Sequence, residues 1–116
     1  MTDHPLVLRV VRDGISPEVE RPQPARVTKG GPVHSHWPIE DRDGLSCGLW
    51  QSTPGAWQVD YAEWEYVHIL SGLSVLTGED GSRVTLGAGD SWIIRPGFRG
   101  AWEVVETTLK EYVIRG

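Results

Sequence analysis

The chain has 116 residues, 39% of them hydrophobic and 23% charged, which suits one globular domain and excludes a disordered tail. Its net charge is −5, and no basic patch interrupts the acidic balance, which argues against nucleic acid and anionic membrane surfaces as partners. One cysteine, Cys47, rules out an internal disulfide and a zinc knuckle; bracketed by Leu45 and Leu49, it reads as a plain buried thiol.

In chain order, Leu6–Val11 is strand-like and Asp13-Gly14 a turn. From Ile15 to Pro32 the prolines at 17, 22, 24 and 32 and the pair Gly30-Gly31 exclude a helix and disfavour a central strand. This stretch reads as an extended arm, lying on the surface or reaching a neighbouring subunit. His34-Ser-His36 has the spacing that puts two imidazoles on one strand face, where they could ligate a metal. Flanked by Gly-Gly-Pro and Trp37-Pro38, the pair is expected instead as two surface histidines in a loop. Glu40–Gly44 reads as a solvated turn. Strands are expected at Leu45–Gln51, Ala56–Tyr61, Glu65–Leu70, Leu73–Thr77, Ser82–Leu86, Ser91–Arg95, Ala101–Glu106 and Thr107–Arg115. The turns between them are marked by Thr53-Pro54-Gly55, Gly78–Gly81, Gly87–Asp90 and Pro96-Gly97. Nothing after Asp43 has a 3.6-residue period, so the domain is all-β, a sandwich or barrel. No apolar run is long enough for a membrane span and no signal peptide is visible, so the cytoplasm is the default location.

The most informative run is Glu65-Tyr-Val-His-Ile-Leu70 with Gly72 behind it. A carboxylate leading such a strand is costly in a β core unless it is wet, paired or useful. Glu-x6-Gly in a β-rich run, then Gly89-Asp90 and Pro96-Gly97, resembles the two half-motifs of the cupin superfamily, also called RmlC-like. Trp50-x3-Pro54-Gly55, Gly97-Phe-Arg-Gly-Ala-Trp-Glu-Val104 and Lys110-x-Tyr112-Val-Ile114 resemble the small single-domain cupins grouped with the cupin domain of ureidoglycine aminohydrolase. The resemblance runs from about residue 44 to 115. It implies a jelly-roll barrel, here residues 33–116 behind an N-terminal strand and Pro/Gly-rich arm, residues 1–32. It also implies a homodimer.

The resemblance further implies a metal site of three histidines and a glutamate, and this sequence departs from it. Counting back from Glu65, the first-motif histidine positions fall on Val59 and Tyr61, or on Gln58 and Asp60. The second-motif position falls on Gly100. One carboxylate is too few for a divalent first-row metal, so no metal and no cofactor are expected. On strand parity Glu65, Val67 and Ile69 face inward, while His68 faces outward with Tyr66 and Leu70. The expected pocket is Glu65 and Tyr61, the candidate acid and base, among Trp57, Val59, Val67, Ile69 and Trp102.

A carboxylate beside indole faces suits a cationic or amide-bearing ligand, unless Arg95 or Arg99 pairs with it as a structural ion pair. The expected function is a small-molecule-binding cupin, accessory to nitrogenous, ureide-like metabolite handling. The alternatives are a metal-free isomerase or hydrolase using Glu65 and Tyr61, and a structural module whose tryptophans fill the barrel. Tyr66, His68 and Leu70 are too apolar for a wet face, so the second sheet, the arm or another copy should cover them.

Overall fold

The computed structural model describes residues 4–116. Alternating side chains and Gly/Pro turns leave little but strands among these residues: β1 (Glu18–Glu20), β2 (Val27–Gly30), β3 (His34–Arg42), β4 (Leu45–Ser52), β5 (Gly55–Asp60), β6 (Trp64–Gly78), β7 (Arg83–Gly87), β8 (Ser91–Ile94) and β9 (Arg99–Arg115). A 3-10 turn at Pro24–Arg26 precedes β2.

β6 and β9 organise the molecule. They pair antiparallel from Trp64 opposite Arg115 to Gly78 opposite Gly100. On its other side β9 pairs with β5 through residues 99–104 and with β4 through residues 108–115. The long pair therefore passes through two layers. One layer runs β1-β3-β4-β9-β6-β8 and the other β2-β5-β9-β6-β7. This is the all-β cupin jelly roll, a sheet curled until its layers face each other.

The expected breaks at Ser71-Gly72 and at Glu106-Thr107 are bends within single strands. At the first, the β6–β9 register shifts between Ile69 and Ser74, and Gly72 takes φ +92°. A β-carbon on Gly72 would lie 2.0 Å from the Thr107 carbonyl oxygen, so only glycine lets the strands cross the corner this closely.

Between the layers lies the core of Trp57, Val67, Ile69, Leu76, Leu86, Ile94, Trp102 and Val104. A buried polar chain crosses it. Trp102 Nε1 donates to Ser74 Oγ at 3.1 Å, Ser74 Oγ donates to Thr108 Oγ1 at 2.7 Å, and Thr108 Oγ1 donates to the Glu106 carbonyl at 2.8 Å. Each hydroxyl accepts once and donates once, so the chain is satisfied and fixes the Trp102 ring.

Several expectations are corrected. Leu6–Val11 is not a strand; residues 6–10 lie exposed and pair with no strand, and β-favouring residues without a pairing partner gain no ladder. The proline-spaced segment carries two short strands that fold back on the barrel, β1 on β3 and β2 on β5. It is anchored where Trp37 Nε1 donates to the Ile15 carbonyl at 2.9 Å and the Arg12 guanidinium sits over the Trp37 ring at 5.3 Å. His34-Ser-His36 is no surface loop but the start of β3. Pro38 is tolerated there because the pairing with β1 reaches only as far as His36, opposite Glu18, leaving that edge without a ladder, and because the register shifts between Pro38 and Glu40. The turn expected over residues 40–44 shrinks to Asp43-Gly44, both at positive φ, a two-residue hairpin turn. Cys47 is only half-buried.

Neither the second layer nor the arm covers the outer face of β6. Leu70 is 41% exposed, and Ile93, opposite Tyr66, is 56% exposed. His68 lies on this face with its Nδ1 2.8 Å from Ser91 Oγ, to which Tyr66 donates at 3.1 Å. Among the described residues no helix is long and apolar enough to cross a membrane.

Candidate functional site

Alternate residues of the first layer point at the second. From β6 comes Glu65; from β9 come Lys110, Tyr112 and Ile114; from β4 comes Trp50, and from β3 come His34 and His36. Trp57 of β5 and Trp102 of β9, opposite each other in the second layer, close a cavity of about 400 Å³.

Glu65 is not alone there. Lys110 sits opposite Ile69 on the neighbouring strand, and its four-carbon stem reaches along the sheet until Nζ lies 3.0 Å from Glu65 Oε2. Both side chains are buried, Glu65 5% and Lys110 7% exposed. The ammonium also lies 4.5 Å from the ring centres of both Trp50 and Trp102. A lone charge at this depth would cost several kcal/mol. The carboxylate and two indole faces offset that cost together.

Around the pair stand groups held in defined protonation states. His34 is packed between Trp50 and Trp57, at ring distances of 5.0 and 4.6 Å. Burial first, and the Lys110 charge second, lower its pKa to about 4, so it is neutral at pH 7. Its Nε2 is buried without a hydrogen-bond partner. His36 Nε2 shares a hydrogen bond with the Tyr112 hydroxyl. Burial, followed by nearby acidic groups led by Cys47 and Glu65, pushes that phenol up to about 12. Gly48, opposite Tyr112, makes room for the hydroxyl: a β-carbon there would lie 2.9 Å from it. Tyr61 is pushed well above the ordinary phenol range by burial and then by the Glu65 charge. Both tyrosines therefore keep their hydroxyl protons at neutral pH.

Of the residues singled out in the sequence, Glu65, Tyr61, Trp57 and Trp102 line this one cavity. Val59 lines an adjoining opening with Tyr61 and Glu65. Val67 and Ile69 are wholly buried beneath the floor and do not line the cavity. The alternative of a structural ion pair for Glu65 names Arg95 or Arg99 as its partner. Arg99 instead pairs with Asp60 at 3.7 Å, and Lys110 takes the carboxylate. The seat that a carboxylate and indoles would offer a cationic ligand is thus filled by the protein's own ammonium. Sequence reading missed Lys110, His34, His36, Trp50 and Tyr112 as cavity residues. The alternation of Lys110, Tyr112 and Ile114 was the available signal for β9, and His-x-His was the signal for β3.

The residues present do not fit the metal that cupin motifs imply. An ammonium stands 3.0 Å from the one remaining motif ligand, and no three His, Cys, Asp or Glu side chains converge among the described residues. Gly100, at the second-motif histidine position, has no room for a side chain: a β-carbon would lie 1.9 Å from the Thr77 carbonyl oxygen.

Solved structures share this architecture. A protein of unknown function from Pseudomonas syringae pv. tomato superposes with a TM-score of 0.81 at 23% identity, over 90% of this chain and 46% of its own. The chain thus spans less than half of that protein's length. The EutQ protein of Clostridium difficile gives 0.66 at 16% identity, over 72% of this chain and 68% of its own. A cupin superfamily protein from Desulfitobacterium hafniense gives 0.62 at 13%, over 71% and 76%. No curated protein matches the sequence. The family model described as the EutQ-like cupin domain matches residues 40–112, well over half of the chain, with Glu65 and Lys110 both inside the match. With the motif glutamate, the curled double layer and this match in agreement, the chain is a small cupin and belongs to the EutQ-like cupin domain family.

Proposed function

We propose that the protein binds a small nitrogenous metabolite, amide-bearing or ureide-like, through a carbonyl oxygen placed on Lys110. The observation that carries the reading is the buried Glu65–Lys110 pair beneath an aromatic cavity. An ammonium has three donors. Lys110 donates one to Glu65 and holds its flanks against two indoles, which leaves capacity for a ligand oxygen. The protonated Tyr61 hydroxyl is a second donor on the same wall. The Glu65 carboxylate has lone pairs beyond the one given to Lys110, which suit the N–H groups flanking an amide or ureide carbonyl. Resemblance to the ureidoglycine aminohydrolase branch points to the same ligand class, in an accessory role.

Thermal unfolding in the presence of primary amides, ureides and simple carboxylates tests this. An amide or ureide at a hundredfold excess over its dissociation constant should stabilise the protein by about 2.7 kcal/mol. The gain should vanish in Glu65→Gln/Lys110→Met, where the pair is replaced without leaving a lone charge. No response to any amide or ureide, or an equal response in the double variant, rejects the reading.

A second reading is favoured by Tyr61 beside Glu65: a metal-free isomerase or hydrolase in which Tyr61 gives a proton and Glu65 takes one. Turnover of a bound amide, lost in Tyr61→Phe while binding persists, would select it. The open cavity weighs against the third alternative, a barrel filled by its tryptophans.

A further inference from the structure

Two more carboxylates line the same cavity. Glu20 is the last residue of β1, directly opposite His34, and Glu63 stands in the short connection between β5 and β6. Both are exposed, and among the described residues neither takes part in an ion pair. Within the cavity Lys110 cancels Glu65, and His34 carries no charge at pH 7. Among the carboxylates and the ammonium of the lining, three against one leave a net charge of −2. An anionic ligand is therefore repelled at entry, while a monocation is drawn in.

His34 is an independent sign of unmet polar capacity. It is 7% exposed, it lines the cavity, and its Nε2 has no partner. Glu20 and His34 both lie outside residues 40–112, the span matched by the EutQ-like domain.

We propose that the ligand is bipolar: an amide or ureide carbonyl turned inward to Lys110, and a protonated amine turned outward between Glu20 and Glu63. This rests on the carbonyl-binding reading given above and adds the charge and orientation of the ligand. The inner cation seat is taken by Lys110, so the ligand's own cation is left to the mouth. The N-terminal segment thereby becomes a specificity element, because β1 carries one of the two carboxylates.

Calorimetric titration with three amides of matched size tests it: β-alaninamide with a terminal ammonium, butyramide with a methyl, and succinamate with a carboxylate. The wild-type protein at pH 7 and low salt should bind β-alaninamide roughly tenfold more tightly than butyramide, and succinamate most weakly. Added salt should shrink the advantage. In Glu20→Gln/Glu63→Gln the ratio of β-alaninamide to butyramide affinity should fall to within about twofold. Both positions are exposed, so the variant should fold, which its melting curve checks. Equal wild-type affinities, or a preference that persists in the double variant, overturn the bipolar ligand alone. Butyramide binding undiminished in Glu65→Gln/Lys110→Met instead removes the carbonyl seat on Lys110. Failure of all three amides to bind rejects both.

Discussion

At the scale of single residues, Glu65 and Lys110 form one unit. Replacing either partner alone strands a buried charge, which costs about 3–5 kcal/mol. Glu65→Gln should therefore lower the urea midpoint strongly, and Lys110→Met should do the same. The double variant should lie within about 1 kcal/mol of wild type, or above it. Additive losses in the double variant would show that the two side chains act separately.

His34 gives a pH signature whose sign follows from its lowered pKa. Between pH 6.5 and about 4 the unfolded chain is protonated at this position while the folded chain is not. Its contribution is thus neutral above pH 6.5 and increasingly destabilising as pH falls to about 4. The total loss is about 3 kcal/mol. His34→Phe keeps aromatic contact with Trp50 and Trp57 and removes the titration. Stability measured against pH should decline less steeply in this variant across the same window. Parallel profiles would mean that His34 titrates as it does in the unfolded chain.

At the scale of elements, the bend in β6 and β9 places the site, because it carries Glu65 and Lys110 in one layer and Trp102 in the other. Gly72 and Gly89 separate two physical reasons for glycine. Both have φ near +90°, yet a β-carbon on Gly89 meets nothing within 4 Å, while one on Gly72 meets the Thr107 carbonyl at 2.0 Å. Gly89→Ala should cost about 1–2 kcal/mol of backbone strain. Gly72→Ala should cost at least about 3 kcal/mol, because strain and collision add. Denaturant unfolding of the two variants makes the comparison; equal losses would mean that the corner relaxes around a methyl group.

At the scale of the whole molecule, the outer face of the first layer is an apolar surface left uncovered. Tyr66, Leu70 and Ile93 lie there beside the free edge of β8, an arrangement that invites another chain. We propose that a second copy covers it, with about 800 Å² buried per partner if the interface is of ordinary size. Light scattering at micromolar concentration should give the mass of two chains, and Leu70→Glu/Ile93→Glu should reduce it to one. A monomeric wild type ends the proposal.

What the sequence determined by itself is whatever depends on near neighbours. Alternation in Glu65–Leu70 sets which side chains share a face, since the strand period of 2 is local. Gly78–Gly81, Gly87–Asp90 and Pro96-Gly97 mark turns because φ preferences are local as well. Glu-x6-Gly spacing was enough to suggest the cupin frame. Tertiary structure alone decided the partner of Glu65, because Lys110 lies 45 residues further along the chain. It meets Glu65 only through the register of β6 against β9, and a slip of one residue would turn it outward. His34 and His36 looked like loop residues because prolines and glycines surround them. They became cavity residues only when β1 and β4 supplied ladders on either side of β3, and no local preference reports on edges brought from elsewhere in the chain.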